Sequence, residues 1–437
     1  IRLMAAGIGA LSNSVDDTAG DILPATVNLI SASGNLAIET TGELFPSASG
    51  NLGLLAGNSI RIDLPQKDTG WRLGWGIIDA PLSSMASPLN TLPLTDATDS
   101  LAHGVRTKGY LDPGFLSSPE RRSYVHAATP WHADDTQPVR IYALEGDIVN
   151  GSGGGLGAAL LSTPKVTKIE AGRDIVDLAY LGQQLDGSDV STIVAGRDIY
   201  DTPLLTADAS FRFSPVKVLP SLAQAGPGYL YVKAGRDLGR FASQTEFFGL
   251  GASMQLSYRS LPVLGPNGIV TGIDSIGNLY NASLPTEGAS IVASYGVAHG
   301  ADQAAFISKY VDPGTVKPEG LDDGSTSLVA FVTHYDGMAT DGYSIDQAWQ
   351  RFRQLPEEAQ DIFVQQTLFR VLNQVGKDYA DEGSAFAGRY ARGYDALNTL
   401  FPASLGYTAN GTDGGENGAA NAVSTGDLDI RGSTIQT

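Results

Sequence analysis

The 437-residue chain carries 28 Lys and Arg against 47 Asp and Glu, a net charge of −19. That balance repels nucleic acid and anionic membrane surfaces, so neither is an expected partner. Cysteine is absent, which excludes disulfide frameworks, thiolate zinc sites and Cys nucleophiles, and no run of about 18 apolar residues marks a transmembrane helix. Glycine is abundant, at 53 residues, without a collagen period, and only 17% of residues are charged. Many surface positions must therefore be Ser, Thr, Asn or Gly, a composition suited to extracellular β structure. The chain opens at Ile1 with neither a Met start nor a signal peptide, and is read as an internal or processed fragment of a longer protein.

Residues 1–65 show a loose repeat. Ser33-Gly-Asn-Leu-Ala-Ile38 is followed by Ser49-Gly-Asn-Leu-Gly-Leu54 and Ala56-Gly-Asn-Ser-Ile-Arg-Ile62. Each unit is a small residue, a glycine (Gly34, Gly50, Gly57), an Asn, then alternating apolar and polar positions. Glycine supplies a turn conformation that other residues resist, and Asn caps it. Leu36 and Ile38, or Leu52 and Leu54, then point to one face of a short strand. Residues 66–140 break the pattern. They are rich in Pro and Ser and hold Trp71, Trp75 and Trp131, so a loop-rich insertion is expected there.

The repeat resumes over 141–300, with Gly146, Gly172, Gly196 and Gly235 marking successive turns. Ala171-Gly-Arg-Asp-Ile175, Ala195-Gly-Arg-Asp-Ile199 and Ala234-Gly-Arg-Asp-Leu238 are near-copies. The first two steps suit one coil of a parallel β-helix, whose short strands bury their apolar face by stacking on the next coil. The longer third step predicts an insertion at Ser214–Pro227. Later strand-like units are Ser253–Tyr258, Ile276–Tyr280 and Ala289–Ala293.

Residues 301–405 change character. A short helix is predicted over Asp302–Val311. Ser344 and Gln347 match a capping box, with Ile345, Trp349 and Phe352 following at helical spacing. A helix is expected from Pro356 to Gly376 and another over about 384–400, stopped by Pro402. Residues 406–424 read as a Gly-rich linker, and 425–437, from Gly426, as a return to the repeat.

The Ala-Gly-(Arg/Asn)-(Asp/Ser)-Ile units, together with Gly388-Arg-Tyr-Ala-Arg-Gly-Tyr-Asp-Ala-Leu-Asn-Thr-Leu-Phe-Pro402, resemble the C-terminal region of filamentous-haemagglutinin-type exoproteins of Gram-negative bacteria. The resemblance implies a mainly β fold, a right-handed parallel β-helix carrying the loop-rich and α-helical insertions. It also implies two-partner secretion through an outer-membrane transporter, an extracellular or outer-surface location, and an adhesin-like role.

No catalytic, cofactor or metal site is predicted. The Arg173/Arg197/Arg236 and Asp174/Asp198/Asp237 series could form a polysaccharide- or calcium-binding face; a charge-neutralised turn ladder is the favoured reading. His103, His126, His132, His299 and His334 show no metal-ligand spacing. Gly151-Ser-Gly-Gly-Gly-Leu-Gly157 lacks the Lys-Ser/Thr of a phosphate loop. The adjacent pairs Asp16-Asp17, Asp134-Asp135, Asp322-Asp323 and Glu357-Glu358 read as solvated. Trp71, Trp75 and Trp131 are candidate contact residues, and Trp71 and Trp75, or Tyr229 and Tyr231, could stack on sugar rings, with core packing of the insertion the favoured reading for the tryptophans. The expected function is a non-enzymatic adhesive rod contacting carbohydrate, matrix or another cell. A β-helix polysaccharide lyase or hydrolase and a self-associating subunit of an extracellular fibre stand beside it.

Overall fold

The computed structural model describes residues 2–3, 21–38, 42–44, 47–62, 75–77, 132–150, 160–202, 221–241, 272–276, 285–338, 342–407, 426–429 and 434–436. The chain divides into two compact units, Ile1–Tyr295 with Asp427–Thr437, and Gly296–Gly426.

Among the described residues the first unit contains three sheets of 8, 8 and 7 strands, and each sheet takes every third strand in chain order. Successive strands therefore fall in different sheets, and three of them complete one circuit. Thr26–Ser31 lies in the third sheet, Leu36–Ile38 in the first and Gly42–Leu44 in the second. Asn51–Ala56 then returns to pair in parallel with Thr26–Ser31. Alternation selects the buried face. In Asn51–Ala56 every second residue is buried, and Leu54 stacks in register through Ile141, Ile169 and Ile193 to Val232. These residues are at most 2% exposed. In the first sheet Ile60, Ile148, Ile175, Ile199 and Leu238 form the equivalent column. Burying such columns is the main favourable contribution, at about 2 kcal/mol per large aliphatic side chain.

The second unit is helical: α1 (Gln303–Phe306, continued by a π-turn to Val311), α2 (Ser325–Tyr335), α3 (Ile345–Phe352), α4 (Glu357–Ala380) and α5 (Ala391–Leu400). Asp302 caps α1 by accepting from the Ala305 N–H at 2.9 Å. Ser344 and Gln347 form the reciprocal capping box of α3. Phe306, Phe331, Phe352, Ile362, Phe363 and Val371 are buried, with the Phe331 and Phe363 rings 4.9 Å apart.

The expected fold class needs correction. A mainly β right-handed β-helix does not describe the chain, although the helices do fall in sequence between Tyr295 and Asp427. It combines three parallel sheets with a separate helical unit, and so is a protein of both α and β structure. The physical reason is that the helical stretch supplies enough apolar residues at i, i+3 and i+4 to bury a core of its own.

Details of the pattern also differ. Ser325–Tyr335 is a helix with no strong sequence signal. Gly376 does not end α4: it is not among the glycines of positive φ, and the helix runs on to Ala380. The last long helix begins at Ala391, after turns over 382–388. Ser221–Ala225, placed in the predicted insertion, is a second-sheet strand pairing with Ala179–Gln183. Within 66–140, Trp75–Ile77 is a strand of the same sheet and pairs with Gly42–Leu44. Ser253–Tyr258 lies outside the described residues.

Candidate functional site

The Gly-Arg-Asp turns stack into one ladder. The Asp147 carboxylate accepts from Arg173 Nη2 at 2.9 Å and from the Asp174 backbone N–H at 3.1 Å. Asp174 accepts from Arg197 Nε at 2.7 Å and from the Asp198 N–H at 3.1 Å. Asp198 accepts from Arg236 Nε at 2.8 Å and the Asp237 N–H at 3.0 Å, and Asp237 accepts from the Asp427 N–H at 2.9 Å. Arg236 thus continues the stack despite the long segment before it, with its own N–H on the Arg197 carbonyl at 2.7 Å. Asp147, Asp174 and Asp198 each tie their circuit to the next by both a charged and a backbone donor, and Asp237 does so by the backbone donor.

The carboxylates are mostly buried and the guanidinium groups about half exposed. Burial disfavours the Asp198 anion, but the Arg236 hydrogen bond and the Asp237 N–H outweigh it and hold the carboxyl below its ordinary range. The stability this adds is present above the ordinary carboxylate pKa and is lost as pH falls through the depressed value. Replacing Asp198 by alanine should cost about 2 kcal/mol, because the Asp237 N–H loses its acceptor. Urea unfolding at pH 7 should show that loss, and the gap between variant and parent should close in acid.

Close approach, not φ, requires glycine at Gly50, Gly57, Gly146, Gly172 and Gly196. Gly34, Gly50, Gly57, Gly146, Gly172, Gly196, Gly235 and Gly426 all lie outside the positive-φ set. A Cβ on Gly57 would meet the Ala32 carbonyl oxygen at 2.4 Å, on Gly50 the Ala25 oxygen at 2.8 Å, and on Gly172 the Leu144 oxygen at 2.2 Å. Gly146 is out of register with the others. Ala143 pairs with Ala171, and the turn after Ala143 is one residue longer, which places Leu144 where Gly172 sits in the next circuit.

A second constellation joins residues far apart in sequence. Lys165 Nζ donates to Asp135 Oδ2 at 2.5 Å and to the Gly50 carbonyl at 2.8 Å, and His132 Nδ1 lies 3.2 Å from the same Oδ2. Lys165 is 4% and His132 2% exposed. Burial lowers the Lys165 pKa against the raising effect of Asp135. Burial opposes the Asp135 anion too, yet Lys165, the Gln137 N–H and His132 together bring its pKa below the ordinary value. The Asp134-Asp135 pair and His132 were visible in the sequence. Lys165 was not, because only the turn after Pro164 brings it there.

The other candidates do not converge. Trp75 belongs to a second-sheet strand; Trp71, Trp131, His103, His126, Asp16-Asp17 and Gly151–Gly157 lie outside the described residues. Tyr229 and Tyr231 are each 4% exposed, so neither offers a ring to a sugar. Asp322 pairs with Arg370, Asp323 accepts from the Ser325 N–H, and Glu357 and Glu358 occupy the first turn of α4. Among the described residues no group of three or more His, Asp or Glu is placed to hold a metal ion, and no helix is long and apolar enough to cross a membrane. No family model, curated protein or solved structure matches the chain.

Proposed function

We propose that this chain is a non-enzymatic structural and adhesive exoprotein of a Gram-negative cell surface, exported with an outer-membrane transporter partner. Its parallel sheets serve as a stiff scaffold, and the segments between the repeats make contact with carbohydrate, matrix or another cell. The observation that carries this reading is the ladder. The carboxylates of Asp147, Asp174 and Asp198 each hold an Arg and a backbone N–H of the next circuit. The repeated charges thus hold circuits together and are not turned toward a substrate. The repeat units' resemblance to filamentous-haemagglutinin-type exoproteins supplies the adhesive part.

The test is retention of cells and of polysaccharide-coated beads on a surface bearing the folded full chain, with heat-unfolded chain as control. Retention that depends on the folded chain is the expected result. Release of unsaturated or reducing-end oligosaccharides from acidic polysaccharides by the same preparation would overturn the non-enzymatic reading.

A further inference from the structure

The Lys165–Asp135–His132 constellation is more than an ion pair needs. Two opposite charges lie in a site almost closed to water, where holding them as ions is costly. Lys165 Nζ lies directly against the Asp135 carboxylate, 2.5 Å from Oδ2. Oδ1 of Asp135 takes the Gln137 N–H at 2.9 Å, while Oδ2 faces both Lys165 Nζ and His132 Nδ1. The two oxygens are therefore differentiated. One sits on a backbone donor suited to an oxyanion, the other beside a group able to deliver a proton.

We propose that Lys165 and Asp135 are the two ends of an intramolecular isopeptide bond. Transfer of one ammonium proton to Oδ2 gives the neutral amine and the neutral acid. The Nζ lone pair then attacks Cγ, and the charge that develops on Oδ1 is held by the Gln137 N–H. His132 passes a second proton from the nitrogen to Oδ2, the Cγ–Oδ2 bond breaks, and Oδ2 departs as water. The amide keeps the third proton, and Oδ1 becomes its carbonyl oxygen. One ammonium and one carboxylate give one amide and one water, with no oxidant or co-reactant. Burial assists twice. It lowers the proton affinity of the Lys165 amine, and it favours a neutral product over two buried ions. The bond fastens the segment that enters the third sheet at Val139 to the turn between the Leu160–Thr163 and Thr167–Ala171 strands.

Mass spectrometry of the denatured full chain tests this, because denaturation disperses an ion pair but leaves an amide intact. The expected mass is lower than that of the sequence by one water. Protease digestion should give a single branched peptide containing both Asp135 and Lys165. Asp135→Ala and Lys165→Arg should each restore the full sequence mass. Asp135→Asn should lose ammonia in place of water, and His132→Ala should leave a larger fraction unbonded after equal time folded. A parent chain at full sequence mass after prolonged folded incubation, with residues 135 and 165 recovered only in separate linear peptides, would show an ion pair only and overturn the proposal. The parent measurement decides the matter even if a variant fails to fold.

Discussion

Alanine at Gly196 should destabilise the three-sheet unit by about 3 kcal/mol, whereas alanine at Gly34 should be neutral or stabilise it by about 0.5 kcal/mol. A Cβ on Gly196 would lie 2.2 Å from the Gly172 carbonyl oxygen and 2.9 Å from its carbon. Both are backbone atoms of the preceding circuit, so no side-chain rotation relieves the overlap. The two circuits must separate, and the hydrogen bonds from Gly196 N to Ala171 O and from Arg197 N to Arg173 O, 2.8 and 2.9 Å long, stretch with them. At Gly34 the nearest atom is Ser31 Oγ at 3.4 Å, an ordinary contact. Neither glycine has a positive φ, so alanine can adopt the backbone at both, and only the packing differs. Urea unfolding of the full chain and the two variants, followed by far-ultraviolet circular dichroism, measures the contrast. Equal losses at both positions would show that turn conformation, not close approach, is what the repeat glycines provide.

That contrast also explains what could be read from the sequence. Column residues such as Ile175, Ile199 and Leu238 were legible because each follows a Gly-Arg-Asp turn at a fixed offset, and the inward apolar position is the one most strongly constrained by stacking. Arg236 reached the ladder although 39 residues separate Gly235 from Gly196, because chain added between circuits leaves the register of the turn untouched. The strand Ser221–Ala225 was hidden for a related reason. Its inward residues are Leu222 and Gln224, and the polar Gln224 accepts at 3.0 Å from the hydroxyl of Tyr180, whose ring covers Gly182 in the same sheet. A buried polar residue that is hydrogen-bonded looks like a surface residue in sequence. The site at Lys165 was illegible on different grounds. Its members come from three turns, at Gly50, at His132–Asp135 and after Pro164, and no spacing rule links them. The separate core of the helical unit was the larger miss. Helical periodicity showed where α3, α4 and α5 lie, but not that together with α1 and α2 they bury Phe306, Phe331 and Phe352 among themselves.

Asp274 should make the sheets less stable at neutral pH than near pH 4, and Asp274→Asn should remove that loss. Asp274 pairs in register with Ala223, on the face opposite the buried Leu222 and Ile273. It is nonetheless only 2% exposed, and its Oδ2 has no hydrogen-bond partner among the described residues. Burial, opposed only by the Ser275 N–H, pushes its carboxyl up to about 6. The unfolded chain releases this proton near 3.8. Between those values the folded state binds more protons than the unfolded state, so stability falls as pH rises. The full effect is present below the unfolded pKa and is lost once pH passes the folded one. A difference of about two pKa units corresponds to a loss of about 3 kcal/mol. Asn has the same shape and no charge, so Asp274→Asn should gain on the order of 2–3 kcal/mol above pH 7, allowing for the new amide donors it buries. Below pH 4 it should gain nothing. Asp177 and Asp189 are also raised by burial, but Thr202 bonds to the first and the Leu185 and Asp186 N–H groups to the second, which opposes the shift. Asp274 has a single such donor and should dominate the neutral limb of the profile. Urea midpoints of parent and variant from pH 3.5 to pH 8 decide the question, and parallel curves across that range would rule out a buried, unpaired carboxylate at this position.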